Sequence, residues 1–211
     1  MTATELLAQA QPPLVAILRG LTPQEAPAIG RVLVDAGFRL LEVPLNRPGA
    51  LECIRVLVEQ LPDSVCIGGG TMLTVADVDA VRAAGGRLMV SPNCEPEVIA
   101  HANAAGMLCA PGVATPSEAF TALRHGAHAL KLFPAESIVI AGLKAFKSVL
   151  PAGTPLWPVG GVTAPSLAAW VDAGATGFGI GSQLFKPGMT AADTSASALA
   201  FVAAWRARAG T

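Results

Sequence analysis

The stretch His125-Gly126-Ala127-His128-Ala129-Leu130-Lys131-Leu132-Phe133-Pro134 contains a phrase that recurs along the chain. A helical run ends in glycine, and a short apolar strand follows. The same phrase occurs as Asp35-Ala36-Gly37 before Leu40-Leu41-Glu42-Val43-Pro44, and as Ala84-Gly85 before Leu88-Met89-Val90-Ser91-Pro92. It returns as Ala105-Gly106 before Met107 to Pro111, and as Ala173-Gly174 before Gly177 to Gly181. Glycine suits that position because a helix often ends in a left-handed residue, where any Cβ is penalised.

The spacing of these glycines sets the strand count. The gaps are 48 residues from Gly37 to Gly85, 21 to Gly106, 20 to Gly126 and 48 to Gly174. Each long gap is about two short ones, and each holds a proline break (Leu61-Pro62, Leu150-Pro151) and one more strand. Those strands are Val65 to Thr71 and Leu156 to Gly161, and Leu14 to Arg19 opens the series, giving eight. Thr22-Pro23-Gln24-Glu25 and Thr115-Pro116-Ser117-Glu118 each predict a helix start: a capping threonine, proline at the first position and an acid in the first turn. Thr74 and Thr163 precede similar starts. Eight β-α units with near-continuous apolar strands predict a single-domain α/β (β/α)8 TIM barrel over residues 1–211, with residues 1–12 as a lead-in. An open doubly wound sheet is the competing architecture.

Composition narrows the partners. The chain has 211 residues, 52% hydrophobic and 14% charged, so part of its apolar surface is available for a subunit interface. An abundance of short alanine side chains would give the same count. The net charge is −1 with no basic run, which argues against nucleic acid. No signal-peptide pattern is seen at the N-terminus, and no apolar run approaches the ~20 residues of a membrane span, so the expectation is a cytoplasmic protein. Cys53, Cys66, Cys94 and Cys109 lack CxxC spacing and read as reduced thiols. His101, His125 and His128 form no ligand pattern, so neither a metal nor another cofactor is expected.

Candidate chemistry lies at the C-terminal ends of the strands, where such barrels keep their active sites. Alternation along the sixth strand puts Leu130 and Leu132 on one face and Ala129, Lys131 and Phe133 on the other. Of four lysines, Lys144 and Lys147 share a helix face, and Lys186 follows the last strand among Gly and Pro. Only Lys131 stands where burial can depress its pKa and free a neutral amine. Glu42 is the only carboxylate within a predicted strand. The pair reads as nucleophile and acid/base, or as a buried ion pair without chemistry. Gly160-Gly161 after strand seven and Gly181-Ser182 after strand eight fit a phosphate site built from backbone N–H groups, although glycine also marks plain turns.

Several stretches together resemble the bacterial 2-keto-3-deoxy-6-phospho-sugar-acid aldolases, from about Pro13 to Arg206. They are Ile17-Leu18-Arg19-Gly20, Leu41-Glu42-Val43-Pro44-Leu45-Asn46, Gly68-Gly69-Gly70-Thr71, Ser91-Pro92-Asn93, Leu130 to Pro134, Val159-Gly160-Gly161-Val162 and Gly179-Ile180-Gly181-Ser182. The resemblance implies a class I aldolase in which Lys131 forms a Schiff base with pyruvate, Glu42 moves protons and Arg19 binds the substrate carboxylate. It implies substrate contacts from Asn46, Thr71, Pro92, Phe133 and Val159, and phosphate binding by Gly160, Gly161, Gly181 and Ser182. Leu45-Asn46-Arg47 and Val159-Gly160-Gly161 differ from the Leu-Arg-Thr and Thr-Gly-Gly of the 6-phosphogluconate branch, so the chain is similar to the 6-phosphogalactonate branch. Arg47, beside the gluconate-branch arginine position, keeps a gluconate or dual-specificity reading open. The implied small molecules are a phosphorylated keto sugar acid, pyruvate and glyceraldehyde 3-phosphate, in galactose catabolism, and the implied assembly is a homotrimer. Read without the resemblance, the barrel also fits an isomerase or phosphosugar synthase with Lys131 as a charge, or a sugar-phosphate sensor.

Overall fold

A computed structural model describes residues 2–209. Parallel strand segments β1 (Leu14–Ile17), β2 (Leu40–Pro44), β3 (Cys66–Gly70), β4 (Leu88–Val90) and β5 (Leu108–Ala110) follow in chain order. Then come β6 (Gly112–Val113), β7 (Leu130–Leu132), β8 (Leu156–Pro158) and β9 (Phe178–Ile180). One run of pairing is β5-β4-β3-β2-β1-β9 and another is β6-β7-β8. β5 and β6 are the predicted fifth strand, interrupted at Pro111, which has no N–H to donate to a ladder. A bridge from Val159 to Gly179 joins β8 to β9. The ring is therefore closed with eight strands, and the open-sheet alternative is set aside.

The helices lie outside this ring: α2 (Ala26–Ala36), α3 (Ala50–Gln60), α4 (Val75–Ala83), α5 (Pro96–Ala104), α6 (Pro116–Arg124), α7 (Ala135–Val149), α8 (Ala164–Ala173) and α9 (Ala191–Ala209). Gly37, Gly85, Gly106, Gly126 and Gly174 all have positive φ at the helix ends, as their recurrence predicts. Capping boxes start α4 (Thr74 and Asp77), α6 (Thr115 and Glu118) and α8 (Thr163 and Ser166). The start predicted at Thr22 is corrected. Thr22 and Glu25 do exchange hydrogen bonds, but around a turn, and the regular helix begins at Ala26 with Pro27 in its first turn.

The lead-in carries a short helix, α1 (Ala3–Gln9), that closes the N-terminal end of the barrel. Ala3, Leu6 and Ala10 pack with Val15, Leu40, Leu88, Leu108, Ala129 and Trp157 inside the ring. Truncating Leu6 there should cost about 2–5 kcal/mol. This packing plugs the N-terminal end of the interior. The alternation read at β7 holds: Leu130 and Leu132 join the layer between strands and helices, and Ala129 joins the interior cluster.

Candidate active site

Among the described residues, Glu42 and Lys131 are the only charged side chains within strands. Both are buried, at 2% and 8% exposure. One carboxylate oxygen of Glu42, Oε2, has no hydrogen-bond partner. Burial pushes the Glu42 carboxyl up to about 7, against the opposing pull of the Lys131 and Arg19 charges. Burial also lowers the Lys131 amine; Glu42 resists that shift and the Arg19 charge adds to it. A carboxylic acid raised and an amine lowered meet nearer neutrality, where each can exchange protons. The Lys131 Nζ lies 4.8 Å from the centre of the Phe133 ring.

The glycine run of β3 makes room for this pair. In the barrel, Glu42 is in register with Gly68 of β3. A Cβ on Gly70 would fall 1.8 Å from Glu42 Oε2, and one on Gly68 would fall 1.9 Å from the Leu88 carbonyl oxygen. Only glycine lets the β3 backbone pass so close to the carboxylate and to β4. Thr71, the next residue, has φ 55°, a left-handed conformation that a β-branched residue adopts only at a cost in strain.

Above the pair opens a cavity of about 590 Å³ at the strand ends. Arg19, Val159, Gly160, Gly161, Gly181 and Ser182 line it, as their positions after the strands predict. Lys131 and Glu42 do not; they line a smaller void of about 10 Å³ beneath. Ile17, Val159 and Gly179 border both spaces, so the cavity adjoins the void that holds the lysine. Asn46 holds Arg19 at the rim through a hydrogen bond of 3.1 Å from Nη1 to Oδ1. Thr71, Pro92 and Phe133 stand at the ends of β3, β4 and β7 and line neither space.

Three charged residues outside the predicted set also line the cavity: Arg47, Glu136 and Lys186. Glu136 lies in the first turn of α7, directly after the lysine strand. Lys186 reads in the sequence as a loop lysine apart from the chemistry, and the fold brings it back to the strand ends. Among the described residues, no cluster of three His, Cys, Asp or Glu is placed to hold a metal ion.

The sequence model of KDPG and KHG aldolases matches residues 6–198. The chain belongs to the KDPG and KHG aldolase family. It is 46% identical over 198 residues to the 2-dehydro-3-deoxy-6-phosphogalactonate aldolase of Escherichia coli K12, covering 94% of this chain and 97% of that one. A solved structure described as native KDPGal superposes with a TM-score of 0.92 at 45% identity, over 94% of this chain and 97% of that one. A more distant member, the KDPG aldolase of Legionella pneumophila with pyruvate captured at low pH as a covalent carbinolamine, gives a TM-score of 0.81 at 25% identity, over 99% and 98% of the two chains. The family and the barrel expected from the sequence are thus both present. No helix among the described residues is long and apolar enough to cross a membrane.

Proposed function

We propose that this family member is a class I aldolase that cleaves 2-dehydro-3-deoxy-6-phospho-D-galactonate to pyruvate and D-glyceraldehyde 3-phosphate. The observation that carries the reading is the buried Lys131–Glu42 pair, with its two pKa values displaced towards neutrality, beneath a cavity edged by the Gly160-Gly161 turn. The similarity to the Escherichia coli enzyme supports the choice of the galactonate epimer. The cavity-lining position of Arg47 favours a second reading, acceptance of the gluconate epimer as well.

The residues supply each step. Neutral Lys131 Nζ attacks the C2 ketone to give a carbinolamine, and the carbinolamine in the Legionella relative is the corresponding species there. Glu42, as the acid, gives a proton to the departing hydroxyl, and water leaves to form an iminium. As the carboxylate, Glu42 then takes the C4 hydroxyl proton. The C3–C4 bond breaks, its electron pair moves into the iminium as an enamine, and the aldehyde departs. Glu42 returns the proton to C3, and water releases pyruvate from Lys131. Arg19, held by Asn46, suits the substrate carboxylate as a charge-assisted donor. Thr71 can hydrogen-bond a substrate oxygen, Pro92 and Phe133 wall the pyruvyl end, and Val159 faces C4. Backbone N–H groups around Gly160, Gly161, Gly181 and Ser182 receive the phosphate.

The same reading includes a homotrimer working in the cytoplasm. The trimer is carried by the family resemblance, and sedimentation of the purified protein measures it. The reaction itself is tested by pyruvate release from each C4 epimer, with EDTA-treated enzyme. We expect turnover to survive EDTA, with the galactonate epimer preferred. Absence of pyruvate from both epimers would overturn the proposal, and activity that returns only with a divalent ion would replace the Schiff base with metal chemistry.

A further inference from the structure

We infer that Arg47 and Lys186 form a side-chain clamp for the substrate phosphate, opposed by the Glu136 carboxylate, which limits how tightly the phosphate is held. This rests on the aldolase reading, in which a ligand with one carboxylate and one phosphate enters the cavity.

The cavity wall carries three cations, Arg19, Arg47 and Lys186. Arg19 belongs to the reacting end: its charge acts on both Glu42 and Lys131, and its guanidinium is engaged with Asn46. Arg47 and Lys186 are both exposed, and among the described residues neither has a salt-bridge partner. A phosphate monoester carries about −1.5 to −2 charges at neutral pH, which is the charge these two cations can offset.

Lys186 rides on a loop that packs on the turn after β1, and Arg47 on the loop after β2. Gly20 has φ +81°, and a Cβ there would fall 2.8 Å from Pro187 Cγ, so the turn packs directly against the residue after Lys186. Gly49, two residues after Arg47, has φ +78°, and a Cβ there would fall 3.7 Å from Pro23 Cδ. The Gly20–Pro187 packing thus fixes the backbone beside Lys186, and Arg47 lines the same mouth.

Glu136 works against them. A Cβ at Gly160 would fall 2.2 Å from its Oε2, and one at Gly161 would fall 3.2 Å from its Oε1. The carboxylate therefore lies on the double-glycine turn, where the backbone N–H groups would otherwise meet an anion unopposed. The ordinary service of an acid in a first helical turn is to complement the helix dipole. That role needs no approach to Gly160 across the cavity edge. A carboxylate so placed must be outweighed by cations before a dianion can settle, and its repulsion hastens departure of the phosphorylated product.

The test is calorimetric binding of sn-glycerol 3-phosphate to the full-length protein at low salt, a probe that has the phosphate but neither ketone nor aldehyde. Arg47→Met and Lys186→Met should each weaken binding, and the double variant should weaken it about tenfold or more, with a flatter salt dependence. Glu136→Gln should tighten binding about twofold to fivefold, a gain that general damage to the fold would not produce. Borohydride trapping of pyruvate on Lys131, run on the same proteins, reports on the aldolase reading separately, because pyruvate has no phosphate. An affinity within about twofold of the parent in the double variant, no measurable binding by the parent, or weaker binding by Glu136→Gln would overturn the inference.

Discussion

Replacing Gly70 with alanine should disable catalysis through Glu42 without touching Glu42 itself. The new Cβ would lie 1.8 Å from Glu42 Oε2 and 2.4 Å from its Cδ, where real contacts stay beyond 3.0 Å. Either the carboxylate retreats by about 1.2 Å or β3 moves away from β2, taking Thr71 with it. A misplacement of about 1 Å in a reacting group can cost on the order of 10² in rate, and overpacking costs roughly 1–3 kcal/mol of stability. Gly69→Ala is the control, since its Cβ would meet Val81 and Met72 side chains at 2.7 and 2.9 Å and no part of Glu42. Both variants should therefore melt lower, by about 2–12 °C for a chain of this size. Only Gly70→Ala should also lose on the order of a hundredfold in kcat, read by coupled detection of pyruvate from saturating phosphorylated keto acid. Equal kcat losses in the two variants, or a Gly70→Ala kcat within a few-fold of the parent, would refute the assignment of Gly70 as the residue that makes room for the carboxylate.

Glu42→Gln should lower kcat by about 10²–10⁴ and change the pH profile. The carboxyl held at about 7 is ionised only above that pH, so the parent rate should rise through about pH 7, and the variant should lose that limb. Stability should follow the same group with opposite sign. The unfolded carboxyl ionises near 4.5 and the folded one near 7, so the folded state loses stability as pH rises across that window, and Glu42→Gln should remove the loss in melts at pH 5 and pH 8. Val159→Thr should favour the gluconate epimer by about twofold to tenfold in kcat/KM, the worth of one neutral hydrogen bond of roughly 0.5–1.5 kcal/mol. An unchanged epimer ratio with a lower melting temperature would mean that Val159, 7% exposed and packed near Gly179, serves only the barrel wall.

Much of this site was readable in the sequence because its signals are local. The recurrent glycine after each helix marks the β-α units, and a lysine and a glutamate inside apolar strands stand out by the cost of burying them. The resemblance carried by the strand-end motifs supplied the substrate. What was not readable depends on distance through space. Glu136 lies in the first turn of α7 and Lys186 in the loop after β9, and neither differs locally from an ordinary solvated charge. Gly70 reads as one glycine in a run of three until the fold, which pairs its backbone with Pro44, lays the Glu42 carboxylate against it. The two segments of the fifth strand follow from one missing N–H at Pro111, a break that an apolar pattern does not reveal. Thr71 has nothing in its type to predict a φ of 55°.

The central claim is that Lys131 is a neutral amine able to join covalently to pyruvate. Incubation with pyruvate and borohydride, followed by peptide mass mapping, tests it most directly. The account predicts a reduced pyruvyl adduct on the peptide containing Lys131, none on Lys144, Lys147 or Lys186, and none in Lys131→Arg, whose guanidinium stays protonated. An unmodified Lys131 peptide in an enzyme that still cleaves its substrate, or substantial cleavage by Lys131→Arg, would contradict it.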